Sequence, residues 1–242
     1  ADHFSTEIIS ADSRQIYSET RFGTAVASPE ELRQVKHHFI QSTSVEDPYN
    51  ASRYEQDALQ LIGRLFEKHN LLVMVGGSGL YIDAVCSGID DLPSADPALR
   101  SRLLKIFEEE GLDPLTEQLK NLDPTSYQKI DLKNHMRVLK ALEVSIQTGK
   151  PYSALLSGSH KKRPFKIIRI ALDMEREALY TRINNRVDLM MEEGLLEEVE
   201  SVIPFRHLSA MKTVGYRELF SYLDGKVSLE EAVDLIRRHT RK

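Results

Sequence analysis

The run Leu71-Leu72-Val73-Met74-Val75, closed by Gly76-Gly77-Ser78-Gly79, constrains the fold of this chain most. Consecutive apolar residues without polar alternation suit a strand covered on both faces, and such strands belong to parallel sheets. The glycines turn the chain, and residues 80–87 continue with helical spacing. Strand, glycine turn and helix make up the α/β building unit. Residues 7–11 read as a second short buried strand, with Asp12-Ser13-Arg14-Gln15 directly behind it. Residues 38–41 read as another strand. Residues 54–69 read as a helix, with Ala58, Leu61, Ile62, Leu65 and Phe66 at helical spacing.

The pattern then changes. Leu92-Pro93-Ser94-Ala95-Asp96-Pro97 breaks the chain with two prolines and an N-cap-type Asp. Residues 98–110, 114–121 and 134–147 follow with helical spacing only. Lys161-Lys162-Arg163-Pro164 is a basic loop, and the apolar, β-branched residues 166–172 resume the strand pattern. Residues 176–203 read as helical, with Leu179, Ile183, Val187, Met190, Leu195, Val199 and Val202 on the buried side. A helical block, residues 94–164, is thus inserted into an α/β core formed by 1–93 and 165–242. The chain shows no internal repeat and no low-complexity tract.

Composition removes several classes. The 242 residues suffice for one large or two small domains. Cys86 is the sole cysteine, so neither a disulfide framework nor a cysteine-rich zinc site is possible within the chain. No apolar run approaches the ~20 residues of a membrane helix, and no signal-peptide core is present. A reducing, cytoplasmic location is the expectation. The chain opens at Ala1 close to an apolar run and ends on an uncapped helical pattern, so it reads as part of a longer protein.

Charge is unevenly placed. The whole chain is −5, yet residues 126–170 hold ten Lys and Arg against only Asp131 and Glu143. That stretch is +8, leaving −13 for the remainder. A basic stretch of this kind is the footprint of a polyanion partner or a solvated face. Arg237, Arg238, Arg241 and Lys242 form a second basic cluster, which helix-dipole compensation also explains.

Several residues are candidates for chemistry. Asp12 follows a strand, at the end of an open α/β sheet where ligands bind, as a base, a metal ligand or a cap. Gly76-Gly77-Ser78-Gly79 lacks the spacing and the Lys of a Walker A loop and reads first as a tight turn. Arg182 and Arg186, four apart on one helix face, suit phosphate oxygens or a surface pairing with Asp188. His37-His38 lie on opposite faces of a strand, which argues against a shared metal. Met190-Met191 reads as core filling.

Taken in order, these segments resemble the tRNA dimethylallyltransferases, also called tRNA isopentenyltransferases. Glu7-Ile8-Ile9-Ser10-Ala11-Asp12-Ser13-Arg14-Gln15-Ile16-Tyr17 looks like the family's opening motif, and Phe22-Gly23-Thr24-Ala25 resembles its I-G-T-A. Val75-Gly76-Gly77-Ser78-Gly79-Leu80-Tyr81 resembles V-G-G-T-G-L-Y with Ser for Thr. Residues 92–97 with Arg100 resemble the start of the family's helical insertion. Arg137-Val138-Leu139-Lys140-Ala141-Leu142-Glu143-Val144 resembles R-x-x-R-A-L-E-V. Arg186 with Met190-Met191-Glu192-Glu193-Gly194-Leu195 resembles R-x-x-x-M-x-x-x-G-L, and Thr213-Val214-Gly215-Tyr216-Arg217-Glu218-Leu219 resembles T-x-G-Y-[KR]-E-[LIM].

The resemblance implies a P-loop NTPase-like parallel sheet core with a helical insertion domain. It implies transfer of a dimethylallyl group from its diphosphate to N6 of the adenine 3′-adjacent to the anticodon. Asp12 matches the family's general base and Arg186 its diphosphate-binding arginine. Ser13, Arg14 and Gln15 match positions at the extruded adenine or its neighbours. Ser78, Arg100, Met136, Arg137, Val138, Leu139, Lys140, Lys212, Thr213, Val214, Gly215, Tyr216 and Arg217 match tRNA-contacting positions. The implied partners are a tRNA anticodon stem-loop and dimethylallyl diphosphate, with Mg²⁺ as cofactor, no protein-held metal ligand in this chain, and a monomeric state.

The family's P-loop, G-P-T-x-x-G-K-T, which supplies the diphosphate cradle and a Mg²⁺-ligating Thr, is expected upstream of Ala1. The K-R-Q-x-T-W-F/L-R segment is expected after Lys242. The chain alone is therefore expected to bind diphosphate poorly. Met136 stands where Gln is usual and Lys140 where Arg is usual; a point charge replaces a planar fork there. Competing readings are an adenylate isopentenyltransferase, a P-loop small-molecule kinase and a non-catalytic RNA-binding relative. Charge reversal at Lys161, Lys162 and Arg163 is expected to weaken RNA binding.

Overall fold

The structure, a computed structural model, describes every residue except Pro48, Asp91, Ser94, Ala95, Ser159 and Lys242. Two positions of the 92–97 motif and the last residue of the C-terminal basic cluster thus lie outside the described residues. The chain divides into two compact units, Ala1–Cys86 with Arg163–Lys242, and Ser87–Lys162. The division falls several residues before position 93 at one junction and two before 164 at the other.

The first unit begins with β1 (Ile8–Ser10), α1 (Pro29–Gln34), β2 (His37–His38), α2 (Ala51–Phe66), β3 (Val73–Val75) and α3 (Gly79–Ser87). The three strands pair in parallel in the order β2-β1-β3. β1 is therefore the central strand of this sheet, and β3, read as central from its apolar run, lies at its edge with Val75 exposed. The strand expected over 38–41 stops after His38, because Phe39 and Gln41 adopt left-handed φ values of 61° and 45° that no strand continues. Asn50 caps α2 by accepting a hydrogen bond from the Arg53 N–H at 3.0 Å. That helix buries Tyr54, Ala58, Leu61, Ile62 and Leu65 on one face.

The second unit is wholly helical among its described residues. It comprises α4 (Pro97–Glu110), α5 (Asp113–Leu122), α6 (Pro124–Lys129), α7 (His135–Thr148) and α8 (Tyr152–Leu155). Asp96 caps α4 by accepting from the Ala98 N–H at 2.9 Å. Its core gathers Leu99, Leu103, Leu115, Leu119, Val138, Leu139, Ala141 and Leu142. Each buried Leu contributes about 1.5–3 kcal/mol relative to exposure. The Asp123 carboxylate ties three segments together, accepting from the N–H and Oγ–H of both Ser126 and Ser153 at 2.6–3.0 Å. Burial pushes its pKa up, but these four donors outweigh burial and hold it at about 2.

The chain returns to the first unit with α9 (Arg176–Glu192), α10 (Leu195–Ser201), α11 (Tyr216–Leu223) and α12 (Leu229–Thr240). The single helix read over 176–203 is two, broken at Gly194, whose φ of 109° a helix does not admit. Leu179, read as buried, is exposed. Ile16, Tyr17, Val187, Leu195, Val199, Tyr216, Leu219 and Ile236 belong to one core, which packs the four helices against the segment behind β1.

Residues 166–172 form no strand. They pair with no strand among the described residues, and Ile168, Ile170 and Leu172 are exposed. β-branched content favours a strand only where a neighbouring strand supplies hydrogen bonds. Just before them, the Arg163 side chain is only 9% exposed rather than part of a solvated loop. Its Nη2 donates to Glu55 Oε1 at 2.6 Å and to the Ala84 carbonyl at 2.8 Å, and its Nε donates to the Val85 carbonyl at 2.8 Å. It caps α3 and fastens it to α2. Among the described residues, no helix is long and apolar enough to cross a membrane.

Candidate active-site rim

The carboxyl ends of β1 and β3 bring the Asp12 segment and the glycine turn together. The Ala11 N–H donates to the Val75 carbonyl at 2.7 Å, and the Ser78 N–H donates back to the Ala11 carbonyl at 3.2 Å. Gly76 permits this approach. A Cβ at position 76 would stand 2.2 Å from the Ala11 carbonyl oxygen, so any side chain would push the two strand ends apart. Ser78 then reaches Ser13, its Oγ accepting from the Ser13 N–H at 2.9 Å and lying 3.0 Å from Ser13 Oγ. The Gly-rich turn is thus a joint of the rim, 65 residues away in sequence from the segment it holds.

Asp12 uses one oxygen to shape its own turn. Oδ1 accepts from the Arg14 N–H at 2.8 Å and the Gln15 N–H at 3.3 Å. Oδ2 accepts no hydrogen bond among the described residues, and Asp12 is partly exposed. The cap and the candidate base are therefore the same group, with one lone-pair face committed and the other open. Gln15 is held from the other side, its Nε2 donating to the Thr24 and Ala25 carbonyls at 3.1 and 3.0 Å. Arg14 reaches the Ser209 carbonyl with Nη1 at 3.3 Å, which brings the segment ahead of Lys212 and Thr213 to the rim. Tyr81, stacked on Tyr54 at 4.3 Å, lies under the rim, and burial raises its hydroxyl pKa.

Arg186 stands on the exposed side of α9, one residue from Val187 in the shared core. Neither it nor Arg182 has an ion pair among the described residues. Asp188, weighed as a partner for this pair, is taken by Arg237 instead. Arg241 donates to Asn184 and stacks over Tyr180. Arg237 and Arg241 therefore fasten the C-terminal segment to α9 rather than forming a patch for a polyanion. His37 Nδ1 faces the Val35 carbonyl and His38 Nε2 faces Glu7, so the two rings serve different neighbours.

The residues matched to RNA contact separate into two kinds. Lys212, Arg217, Met136 and Arg137 are exposed, and Ser78, Thr213, Val214, Arg100 and Lys140 are partly so. Val138, Leu139 and Tyr216 are wholly buried and Gly215 is buried as well. Val138 and Leu139 are the inward face of α7, packed in the helical core. The Tyr216 ring fills the α9–α12 core and its hydroxyl donates to Glu198. Motif matching carries no information about which helix face turns outward; the 3.6-residue period does.

Within the helical unit, Arg100 Nη1 lies 3.3 Å from Glu143 Oε2, and Lys140 Nζ is within 3.5 Å of the Pro93 carbonyl. Glu143 is fully buried. Burial raises its carboxyl pKa against the pull of Arg100 and Lys140, and burial lowers the Lys140 ammonium. Lys129, Lys133, Arg137, Lys150 and Lys162 are exposed.

No group of three or more His, Cys, Asp or Glu side chains suited to a metal ion occurs among the described residues. Asp12 has a single uncommitted oxygen. Mg²⁺ takes most of its six oxygens from water and substrate phosphates, with one or two protein groups, and the open oxygen of Asp12 is the one such group at this rim among the described residues.

Both the sequence and the fold, an acid-bearing strand end locked to a glycine turn and a separate helical unit, match known proteins. The family model described as IPP transferase matches residues 15–242. tRNA dimethylallyltransferase 2 of Azobacteroides pseudotrichonymphae is 51% identical over 241 residues, covering 100% of this chain and 78% of the relative. tRNA dimethylallyltransferase 1 of Bacteroides thetaiotaomicron is 48% identical at the same coverages. The solved tRNA isopentenylpyrophosphate transferase of Bacillus halodurans superposes with a TM-score of 0.67 at 36% identity, covering 100% of this chain and 76% of that one. A eukaryotic dimethylallyltransferase acting on tRNA, at 22% identity, shares the fold with a TM-score of 0.77. The fold is accordingly the P-loop NTPase-like one of these structures, and with nearly the whole sequence matched, the chain belongs to the IPP transferase family.

Proposed function

We propose that this protein transfers the dimethylallyl group of dimethylallyl diphosphate to N6 of the adenine 3′-adjacent to the anticodon of tRNA. The observation that carries the reading is Asp12: a carboxylate at the strand end, oriented by its own turn, with Oδ2 uncommitted. An exocyclic adenine amine is a weak nucleophile. In the transfer, the N6 lone pair forms the bond to the allylic carbon, and the carbon–oxygen bond breaks with its electrons leaving on diphosphate. The N6 proton passes to Asp12 Oδ2. Arg186, exposed and without an ion-pair partner among the described residues, meets the negative charge that grows on the leaving group. Ser13, Arg14 and Gln15 border the place where the extruded base would lie.

The helical unit supplies the RNA grip. Arg100, Arg137 and Lys140 on α4 and α7, with exposed Lys129, Lys133, Lys150 and Lys162, present cations to the phosphates of an anticodon stem. Mg²⁺ is the proposed cofactor, as counter-ion of the diphosphate, which would supply most of its ligands together with water. A monomer is the proposed working unit, and the proposed setting is the cytoplasm.

The test is transfer of labelled dimethylallyl to tRNA by the full-length protein that carries the P-loop, as wild type and as Asp12→Ala. A general base contributes typically about 10²–10⁴-fold. The variant should lose at least about 100-fold in rate while binding tRNA within about threefold of wild type. Undiminished turnover would remove Asp12 from the chemistry.

A further inference from the structure

Glu198, on α10, sits far from Asp12 in sequence, yet its carboxylate is among the most heavily engaged in the molecule. Oε2 accepts from the Arg21 N–H at 2.7 Å and the Phe22 N–H at 2.9 Å. Oε1 accepts from the Gly23 N–H at 3.0 Å and from the Tyr216 hydroxyl at 2.5 Å. Three successive backbone N–H groups aimed at one point form an anion-binding concavity. Here the anion is a side chain of the same protein, so the concavity serves as a clasp.

What the clasp holds is the loop 21–25. Its far end presents the Thr24 and Ala25 carbonyls, and both accept from Gln15 Nε2. The loop is tightly determined. Ala25 adopts a left-handed φ of 50°, and a Cβ at Gly23 would lie 2.5 Å from the Tyr216 ring, which is wholly buried and has no room to retreat. Burial and the Glu198 charge both raise the Tyr216 hydroxyl pKa, so it stays a donor at every physiological pH. The line of contact runs from Tyr216 to Glu198, through the loop, to Gln15.

We propose that Glu198 is a positioning residue, assisted by Tyr216: by clasping the loop 21–25 it fixes the two carbonyls that orient the Gln15 side chain beside Asp12. With Nε2 donating to both carbonyls and Oε1 lying 3.5 Å from Ser10 Oγ, the Gln15 side chain is held in one orientation, and its backbone N–H donates to Asp12. This rests on the functional reading above, in which Gln15 borders the adenine. It also explains two motifs that sequence leaves unrelated, Phe22-Gly23-Thr24-Ala25 and Thr213–Leu219: they are opposite jaws of one clasp. Glu198 touches no substrate and acts only through Gln15.

A double-mutant cycle tests it. Gln15→Ala and Glu198→Gln should each lower kcat about tenfold, the scale of a small misplacement at a reacting centre, with the KM for dimethylallyl diphosphate within about twofold. If Glu198 acts through Gln15, the double variant should be no more than about twofold worse than Gln15→Ala. Losses that multiply to about 100-fold would overturn the proposal, because independent sites add in free energy. Wild-type kcat in Glu198→Gln would overturn it as well. Tyr216→Phe, which removes only the hydroxyl, gives a milder second arm, expected to lose about threefold and to show the same non-additivity. A substrate-free readout separates failure of the clasp from failure of the functional reading. The Gln15 side-chain amide resonance should shift in Glu198→Gln, and an unmoved resonance overturns the clasp whatever the protein transfers. A wild-type protein that transfers nothing to tRNA, with the resonance shifted, would instead refute the functional reading and keep the clasp.

Discussion

In the helical unit Leu115, Leu119, Leu139 and Leu142 are fully buried, whereas in the α/β unit Ile168 and Leu172 are 73% and 98% exposed. The same contrast runs through the polar ties. The Asp123 network joins residues 3 and 30 positions apart. The ties that shape the rim join residues 65 positions apart for Ser13 and Ser78, 177 for Arg21 and Glu198, and 195 for Arg14 and Ser209. A helical unit closes its own backbone hydrogen bonds locally and needs only an apolar stripe to pack. A parallel sheet and the rim at its edge need partners brought from afar. The proposed division of labour follows this physical one: a self-sufficient unit to grip RNA, and a unit of long-range ties to place a carboxylate.

The largest expected effect breaks a long-range tie in the α/β unit. Arg163→Met leaves Glu55 buried without its cation and uncaps α3, and breaking a buried pair costs about 3–5 kcal/mol. Thermal unfolding should show the α/β unit melting early while the helical unit keeps its own transition. A single unchanged transition would mean the pair is dispensable.

Next comes the helical unit's own tie. Asp123→Ala strands buried donors of Ser126 and Ser153 and should cost about 3 kcal/mol. The wild-type contribution should also follow acid titration. The Asp123 carboxyl is held at about 2 against an ordinary 3.8. A group with a depressed folded pKa stabilises fully above its unfolded value, so the contribution should be complete above about pH 4 and vanish as pH falls through 2. Helical-unit stability that is flat over that window would contradict the network's assigned role.

The smallest effect concerns the surface. Lys162→Glu should leave stability unchanged and reduce the slope of log affinity for RNA against log salt by about 1, the loss of one phosphate contact. An unchanged slope would place the RNA elsewhere. Arg163 belongs in no such experiment. Its charge is spent inside the protein, although its sequence neighbours Lys161-Lys162 made it look like part of an RNA patch.

Much of this was legible in the sequence. Periodicity located α2, α4, α5 and α7 to within a few residues, and the strand–Gly–helix unit named the fold class. The acid behind β1 was visible because strand ends in open sheets are where ligands meet the chain. What escaped was non-local. Nothing near 166–172 says whether a strand will find a partner, and nothing near Gly194 except glycine itself says that a helix will break. The buried state of Val138, Leu139 and Tyr216 was available from helical phase, but motif matching passed over it. Glu198 gave no signal, since a glutamate in the run Leu195-Leu196-Glu197-Glu198 looks like a solvated helix face until the chain folds.

The most direct measurement is the single-turnover rate of dimethylallyl transfer at saturating tRNA, taken side by side for wild type, Asp12→Ala and Lys162→Glu. The account predicts a loss of at least about 100-fold for Asp12→Ala and a wild-type rate for Lys162→Glu once tRNA saturates. Transfer at the wild-type rate by Asp12→Ala would contradict it.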